Sequence, residues 1–314
     1  MRLRPDHLML LALAAFGIVM VTAPTAAAGT HTFPSELPAR VDAPFPRAIA
    51  GVTIEKAPQR IVAASVLSAE VLLELVPKER IAGVHFLAAE PRYSRVAART
   101  NGLPLLGASP EQLVAARPDL VVVDEFTLAE TPILLQSLGI PVVRTRAIAD
   151  FADVADDIRL LGWVVGADAE AEAMCDRLAA RAREIRSQGE GLAAWRVMNL
   201  NGALDTYGAQ SLLDDAVRIA GATHLPALHG VGGYRKLDIE TVLAWRPDAL
   251  IVSYEDGSEA RAEWLQQHPG LRLLPCVQKG RVVHVPGSLL SNTSQHAIEV
   301  AAIVQRQLRE WGTP

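Results

Sequence analysis

Short continuous apolar runs alternate with amphipathic stretches along most of the chain. Such runs, bounded by glycine, proline or charged residues, are typical of strands that are covered on both faces of a parallel sheet. The pattern predicts strands at 60–64, 81–84, 120–123, 141–143, 196–200, 249–252 and 282–285. It predicts helices at 69–75, 132–138, 168–188, 211–220, 259–267 and 292–311, and an edge hairpin at 48–54. Strands that alternate with helices in this way indicate an α/β fold with a mainly parallel sheet.

One unit of sequence occurs twice. The segments EQLVAARPDLVVV at 111–123 and ETVLAWRPDALIV at 240–252 share Glu, Ala, Arg-Pro-Asp and the last Val in register, without a gap. Each copy predicts a short helix that begins near its Glu and ends at Arg-Pro, because proline disfavours a helical residue before it, and then a buried strand. The repeat predicts two α/β lobes related by a pseudo-twofold axis, each with a mainly parallel sheet flanked by helices. The ligand site is then expected in the cleft between the lobes.

A long helix is predicted between the two copies, at 168–188. Asp168 is placed as its N-cap, and Arg181, Arg183 and Arg186 lie near its end, where they complement the helix dipole. A helix of this length spans about 30 Å, enough to join two lobes. The predicted organisation is a signal peptide at 1–28, an N-terminal arm at 29–57, a first α/β lobe at 58–150, a linker with the bridging helix at 151–189 and a second α/β lobe at 190–314.

The N-terminus has the pattern of a cleavable export signal. Arg2 and Arg4 precede an apolar run at 8–21, and AAA at 26–28 supplies a small-residue cleavage site. The apolar run is shorter than the ~20 residues that a membrane helix needs. No cysteine lies near the cleavage site, so we expect a free periplasmic protein rather than a lipid-anchored one.

Composition narrows the function classes. The formal net charge is −5 at pH 7, which does not favour binding to a phosphate backbone, so nucleic acid is not an expected partner. Cys175 and Cys276 are too few to hold an iron–sulfur cluster with four thiolates; one disulfide or two buried thiols both remain open. No Gly-x-Ser-x-Gly elbow, Walker loop or Gly-x-Gly-x-x-Gly turn is present, so we do not expect an enzyme.

Several short motifs follow one another in a characteristic order between residues 58 and 311. They are PQRIV at 58–62 with Ser65, Ser68 and Glu70; Glu111 with RPDLVVV at 117–123; LGIPV at 138–142; YG at 207–208 with AGA at 220–222; and Glu240 with RPD at 246–248. In these motifs the chain resembles the periplasmic solute-binding proteins of ABC transporters that take up ferric siderophores, heme and cobalamin. The resemblance implies two α/β lobes joined by one long helix, limited hinge motion, no catalysis and no resident cofactor.

The resemblance also implies a role for the glutamates of the repeat. In members of this family one exposed Glu per lobe docks onto arginines of the membrane permease, and Glu111 and Glu240 are the matching residues. Two carboxylates on pseudosymmetric surfaces can each form an ion pair with a twofold permease dimer, although an acidic residue also favours any helix N-terminus. The expected partners are therefore an inner-membrane ABC permease dimer and a small-molecule metal complex, and the protein itself is expected to be a monomer.

The ligand is expected beyond the carboxyl ends of the strands, where the loops of both lobes meet. Arginine and tyrosine donors suit anionic ferric siderophores, and heme would use Arg for its propionates and His or Tyr as an axial ligand, so an iron chelate is the expected ligand. The candidate residues of the first lobe are Ser65, Ser68, His85, Phe86, Arg92, Tyr93, Arg95, Glu125 and Phe126. Those of the second lobe are Asn201, Tyr207, Tyr234, Arg235, Tyr254 and Leu289.

Two other ligand classes are kept as alternatives. Cobalamin sites in the family rely on aromatic packing, which Phe86, Tyr93, Tyr234 and Tyr254 can supply. A receptor for bare Zn²⁺ or Mn²⁺ needs three or four converging His or carboxylate ligands. The histidines near strand ends are His85, His229, His284 and His296.

Overall fold

Two parallel sheets form the centre of the computed structural model, which describes residues 44–49, 51–254 and 262–314. The predicted signal peptide at 1–28 and the arm as far as residue 43 lie outside these ranges. The described part of the arm contains the predicted edge hairpin, in which β1 (Arg47–Ile49) pairs antiparallel with β2 (Val52–Ile54). None of the helices in the described ranges has the length and apolar character needed to cross a membrane.

The first sheet has five parallel strands in the order β5-β4-β3-β6-β7. They are β3 (Ile61–Ala63), β4 (Ile81–His85), β5 (Leu105–Leu106), β6 (Leu120–Val123) and β7 (Val142–Arg144), with helices α1 (Val66–Leu75), α2 (Pro110–Ala115) and α3 (Glu130–Ser137) between them. Strands β3 and β6 are buried along their whole length, as their continuous apolar runs predicted. Strand β5 was not predicted, because a two-residue strand with one exposed residue leaves no periodic signal.

A pair of helices connects the two sheets. Helix α4 (Phe151–Val165) and helix α5 (Asp168–Ser187) form an antiparallel hairpin that turns at Gly166, which has a left-handed backbone with φ 72°. They pack closely at Gly162, where a Cβ atom would lie 2.3 Å from the Cβ of Ala171. The predicted long helix is confirmed, but its companion α4 was assigned only to a linker. The sequence does carry a signal for α4, because the Asp150 side chain caps it by accepting from two backbone N–H groups.

The role predicted for Asp168 is wrong. Asp168 is the first helical residue of α5, and the N-cap is Ala167, which provides no side-chain cap. The Asp168 carboxylate instead forms a buried ion pair with Arg47, with 2.8 Å between Oδ2 and Nη1, and Arg47 also donates to the Trp163 carbonyl. This carboxylate therefore ties the start of α5 to the edge hairpin.

The second sheet has four parallel strands in the order β10-β8-β12-β13, and a separate antiparallel ribbon pairs β9 with β11. The strands are β8 (Arg196–Asn199), β9 (Asp205–Tyr207), β10 (Thr223–His224), β11 (Tyr234–Lys236), β12 (Ala249–Tyr254) and β13 (Val282–Pro286). The helices are α6 (Leu212–Ile219), α7 (Leu225–Leu228), α8 (Ile239–Trp245), α9 (Glu263–Gln267), α10 (Pro275–Gln278), α11 (Gly287–Leu290) and α12 (Ile298–Trp311). The prediction of an α/β fold with two mainly parallel sheets is confirmed.

Three predicted segments of this half need correction. Residues 225–236, where the sequence pattern predicted no helix or strand, contain α7 and β11. The predicted helix at 292–311 begins only at Ile298, because Asn292 and Ser294 use their side chains in other contacts and a 3₁₀ turn at Gln295–Ala297 precedes the helix. The predicted helix at 259–267 begins at Glu263, and residues 255–261 lie outside the described ranges.

The two cysteines do not pair. Cys175 on α5 and Cys276 on α10 are both buried and free. Desolvation raises the pKa of each thiol to about 11, so both are neutral and poorly reactive at pH 7. The structure therefore favours two buried thiols over a disulfide.

Both copies of the repeat fold in the same way. Helix α2 ends at Ala115 and helix α8 at Trp245, as the Arg-Pro pairs predicted. The arginines before the two prolines have matching left-handed backbones, with φ 49° at Arg117 and 48° at Arg246. This conformation turns each chain out of its helix and into the strand that follows.

The aspartate of each Arg-Pro-Asp motif anchors the neighbouring strand. Asp119 accepts from the backbone N–H of Arg60 at 2.8 Å, and Asp248 accepts from the backbone N–H of Arg196 at 3.0 Å. The backbone N–H groups of the same aspartates donate back to the carbonyls of Arg60 and Arg196, at 3.0 and 2.9 Å. The pseudosymmetry predicted from the repeat thus extends to the hydrogen bonds that begin each sheet.

Candidate functional site

The carboxyl end of β4 presents a histidine beside an exposed phenyl ring. His85 Nδ1 accepts a hydrogen bond from the backbone N–H of Leu87 at 3.3 Å and so caps the 3₁₀ turn Phe86–Ala89. The rings of His85 and Phe86 lie 4.6 Å apart, and Phe86 is 47% exposed. Desolvation lowers the pKa of His85, so the imidazole is neutral at pH 7. The pair offers an apolar surface at the carboxyl end of the first sheet.

A loop of the first sheet meets the second sheet at Gly287. The Arg92 guanidinium lies over the Tyr93 ring, 4.9 Å from its centroid. Gly287, which begins α11, is close to the loop of Arg92 and to the end of β12, because a Cβ atom there would lie 3.4 Å from the carbonyl oxygens of Arg92 and Tyr254. The structure therefore brings together Arg92, Tyr93 and Tyr254, three residues predicted to bind the ligand.

Arg95 makes a second contact between the same two segments. Its Nη1 atom lies 3.5 Å from Oγ of Ser288, which is on α11 and fully buried. Its backbone N–H donates to Oε1 of Glu70 at 2.6 Å. The backbone of Arg95 is thus fixed, while its exposed side chain reaches α11 in the second half.

A cluster of tyrosines lies on the β9–β11 ribbon. The Tyr234 hydroxyl donates to Oδ2 of Asp205 at 2.8 Å, and Nδ2 of Asn201 donates to the same oxygen at 3.1 Å. The rings of Tyr207 and Tyr234 lie 5.0 Å apart at 59°. Desolvation, followed by the nearby Asp205 carboxylate, raises the pKa of both phenols, so both carry their protons at pH 7. The ribbon offers neutral hydrogen-bonding groups and aromatic surface, with Tyr234 38% exposed.

Ser65 and Ser68 have a structural role at the start of α1. Ser65 Oγ accepts from the backbone N–H of Ser68 at 3.1 Å, and Ser68 Oγ accepts from the backbone N–H of Ser65 at 3.1 Å. The two serines are 4% and 0% exposed. Because both hydroxyls are buried and used in this capping box, they are less available to a ligand than exposed side chains are.

The other predicted residues differ in their exposure. Phe126 follows β6 and is 69% exposed, beside Glu125, whose pKa is raised by desolvation and then by Asp124. Arg235 is exposed on β11, opposite Thr206. Leu289 is 6% exposed and packs in the core, so it is a poor candidate for ligand contact.

Two of the remaining candidate histidines contact other side chains. His229 stacks on Trp245, with ring centroids 4.4 Å apart at 5°, and Nε2 of His296 lies 3.3 Å from Oε1 of Glu74. Within residues 44–49, 51–254 and 262–314, no group of three or more His, Cys, Asp or Glu side chains is arranged to hold a metal ion. The Zn²⁺ or Mn²⁺ alternative therefore has no candidate site in these ranges.

Glu111 and Glu240 occupy equivalent positions. Each is the second residue of its helix, two positions after the N-cap. The N-cap is Ser109 for α2 and Asp238 for α8. Ser109 Oγ accepts from the backbone N–H of Gln112 at 3.5 Å, and the corresponding bond of Asp238 measures 2.6 Å. Ser109 and Asp238 therefore cap the two helices, and both glutamates are exposed on the surface.

Glu70 is not among the residues predicted to bind the ligand or the permease. It lies in the middle of α1, is 0% exposed, and accepts hydrogen bonds from both halves of the molecule. The available signal was two carboxylates, Glu70 and Glu74, within the otherwise apolar stretch AEVLLEL at 69–75. A charged residue at a buried helix position requires partners, although the sequence does not say where they come from.

Comparisons with known proteins agree on one family. The model of the family described as periplasmic binding protein matches residues 61–289. The chain is 21% identical over 257 residues to an uncharacterised ABC transporter substrate-binding lipoprotein of Bacillus subtilis, with 79% of each chain covered. It is 27% identical over 207 residues to a cobalamin-binding protein of Halobacterium salinarum, covering 64% of this chain and 55% of that protein.

A solved structure has the same fold. The periplasmic heme-binding protein RhuT from Roseiflexus sp. RS-1, in its apo form, matches with a TM-score of 0.69 at 22% identity. The match covers 80% of this chain and 98% of that chain. At this level of identity the likeness concerns the fold and leaves the ligand open.

Proposed function

The chain belongs to the periplasmic binding protein family, and we propose that it captures an iron complex, a ferric siderophore or heme, as the substrate-binding component of an ABC importer. The complex binds between the carboxyl edges of the two sheets and is then delivered to an inner-membrane permease. The observation that carries this proposal is the convergence of Arg92, Tyr93 and Tyr254 around Gly287.

The chemistry of this convergence suits an anionic ligand with a large apolar body. Arg92 and Arg95 provide guanidinium groups for carboxylate, catecholate or hydroxamate oxygens, which they bind more strongly than neutral donors do. Phe86 and Tyr234 provide exposed aromatic surface, which packs well against a conjugated ring. A bare cation would require a different set of groups, dominated by carboxylates and imidazoles.

Capture requires no chemical step. The neutral His85, the protonated tyrosines and the arginines all serve as packing surfaces or hydrogen-bond donors. We therefore propose binding without turnover, followed by docking through Glu111 and Glu240. Their equivalent, exposed positions at two helix starts match what a permease with twofold symmetry requires.

Cobalamin is the second candidate, and one observation favours it specifically. The Halobacterium relative, at 27% identity, is named a cobalamin-binding protein. Phe86, Tyr93, Tyr234 and Tyr254 are aromatic surfaces that a corrin ring also requires. The propionate side chains of cyanocobalamin are amides, and its one negative charge is on the phosphodiester of the nucleotide loop. Its binding therefore depends mainly on these rings and less on Arg92 or Arg95.

Calorimetric titration of the mature protein with hemin, several ferric siderophores and cyanocobalamin tests the proposal. We expect saturable one-to-one binding of one iron complex, and binding about tenfold weaker after Arg92→Ala or Arg95→Ala, because each variant removes a charged hydrogen bond. Arg183→Ala, an exposed arginine on α5, is the matched control and should bind like the wild type.

Each other result has a defined meaning. Binding of cyanocobalamin alone, sensitive to Phe86→Ala and insensitive to Arg95→Ala, would replace the iron complex by the second candidate. Absence of binding across the whole panel would overturn the proposal.

A further inference from the structure

Glu70 accepts hydrogen bonds from both halves of the molecule, and each half uses a different oxygen. Oε1 accepts from Oγ of Ser94 at 3.0 Å and from the backbone N–H of Arg95 at 2.6 Å. Oε2 accepts from Nδ2 of Asn292 at 2.6 Å and from Oγ of Ser294. The first pair belongs to the loop that carries Arg92 and Arg95, and the second pair to the segment that leads into α12. One buried carboxylate thus joins the ligand loop to the opposite half.

All four hydrogen bonds to the Glu70 carboxylate can form only while both halves stay in place. A carboxylate offers acceptor sites alone, so it can take all four bonds without conflict. At 0% exposure no solvent replaces a lost donor, and an unsatisfied buried charge is costly. Moving the two sheets apart at this point removes both donors from one oxygen. Separation at Glu70 is therefore strongly opposed.

The next turn of α1 makes a second contact with the other half of the molecule. Glu74 lies four residues after Glu70, on the same face of α1. Its Oε1 accepts from Nε2 of Gln295 at 3.0 Å and lies 3.3 Å from Nε2 of His296. The hydrogen bond with His296 is the largest influence that lowers the pKa of Glu74. Two carboxylates on one helix therefore hold successive residues of a single segment from the other half.

We propose that Glu70 is a positioning residue: it fixes the spacing of the two sheets at this edge and holds the loop of Arg92, Tyr93 and Arg95 in its ligand-binding position. Closure around a ligand must then pivot near Glu70 rather than slide the two halves past each other. The part of this inference that concerns the ligand depends on the proposed function. The part that concerns the spacing of the sheets does not.

Spin-label distances test the spacing without any ligand. Labels at Ser137→Cys and Lys279→Cys, two exposed positions in opposite halves, report the distance between the sheets, while the native cysteines are buried. We expect one narrow distance distribution in the wild type and a broader one in Glu70→Gln, because the amide must direct its N–H₂ group at other donors. Asp214→Asn is the matched control, since the partners of Asp214, His224 and Arg218, lie in the same half.

Ligand affinity tests the second part. For the iron complex or cobalamin identified by calorimetry, we expect Glu70→Gln to bind about tenfold more weakly and Asp214→Asn to bind like the wild type. Should Glu70→Gln fail to fold, Ser294→Ala removes one donor to Oε2 and should broaden the distances in the same direction. Unchanged distances and affinity in folded Glu70→Gln or Ser294→Ala would overturn the proposal. If the wild type binds nothing in the panel, the proposed function fails, and the distances alone decide the role of Glu70.

Discussion

In the first copy of the repeat, Asp119 accepts from the backbone N–H groups of Gln59 and Arg60, at 2.7 and 2.8 Å. In the second copy, Asp248 accepts from one backbone N–H group, that of Arg196, and also from its guanidinium, at 2.9 Å to Nε and 3.2 Å to Nη2. The first anchor therefore depends on backbone dipoles, and the second combines one such bond with an exposed ion pair.

The arginines differ in the same way. Arg60 directs its side chain to the end of α2, where Nε donates to the carbonyl of Arg117 at 2.8 Å and Nη2 to that of Ala116 at 2.6 Å. Arg196 also donates from Nη2 to the equivalent carbonyl, that of Arg246, at 3.3 Å, but its shorter bonds are to Asp248, which raises the pKa of its guanidinium. The same three-residue motif thus fixes where a strand begins, while the arginine at the start of the neighbouring strand decides which kind of bond holds it there.

The two copies agree most closely at their exposed glutamates, and replacing these should have the largest effect. The double variant Glu111→Ala, Glu240→Ala should abolish uptake in cells that carry the cognate permease, because both expected ion pairs with the permease are lost. Each single variant should retain part of the uptake. Ligand affinity should stay within about twofold of the wild type, since neither residue lies among the proposed ligand contacts. Loss of affinity would instead show that the two residues support the fold.

Replacing each of the two aspartates should show that the two anchors contribute differently to the free energy of unfolding. Asp119→Ala should lower the free energy of unfolding by about 1–2 kcal/mol, because two backbone N–H groups lose their acceptor. Asp248→Ala should cost about 1 kcal/mol, since exposed ion pairs contribute little, and the loss should shrink as salt is added. Urea denaturation at low and high NaCl measures both values. Equal losses with equal salt dependence would mean that the two anchors do not differ.

The left-handed arginines should behave alike. Arg117→Gly and Arg246→Gly remove a Cβ atom from a backbone with φ near 49° and 48°, which relieves strain but makes the unfolded chain more flexible. We expect each change to raise the free energy of unfolding by about 0.5 kcal/mol. Arg183→Gly, within α5, should lower it by about 1 kcal/mol as a control for glycine in a helix. Changes of opposite sign in the free energy of unfolding for Arg117→Gly and Arg246→Gly would show that the two copies are not equivalent at this position.

Local patterns in the sequence were sufficient to predict much of the fold. Buried strands such as β6, the ends of α2 and α8 before Arg-Pro, and the long helix α5 all follow from periodicity or from proline. The contacts of Glu70 could not be predicted in this way, because Asn292 and Ser294 lie 222 and 224 residues further along the chain. Contacts over such separations depend on how the two sheets are placed, which no local pattern contains.

The candidate site was predictable to a similar extent. Arg92 and Tyr254 were selected because they follow strands, and the structure brings their backbones together at Gly287. Ser65 and Ser68 follow a strand too, but serines three residues apart before an apolar run also form a capping box, and the structure uses them in that way. A position after a strand therefore shows where a residue lies, whereas its hydrogen bonds decide whether it is available to a ligand.

The smallest expected effect concerns the residues that follow the two repeated strands. The first copy continues with Asp124 and Glu125, and the second with Ser253 and Tyr254. Desolvation and then Asp124 raise the pKa of Glu125 above its usual 4.5, so the folded state holds this proton more tightly than the unfolded state does. Stability should therefore fall slightly as the pH rises from about 4.5 through the raised pKa, because the unfolded state loses its proton first.

Glu125→Gln should remove this contribution and flatten the pH dependence of the free energy of unfolding between pH 4.5 and pH 7. Glu190→Gln, at another exposed glutamate, should leave the slope unchanged. Glu125→Gln should also strengthen the binding of an anionic iron complex, since it removes a negative charge from the loop that follows β6. An unchanged slope in Glu125→Gln would mean that the acidic pair of the first copy is as well solvated as an ordinary surface carboxylate. The two copies would then differ in the shape of these loops rather than in their electrostatics.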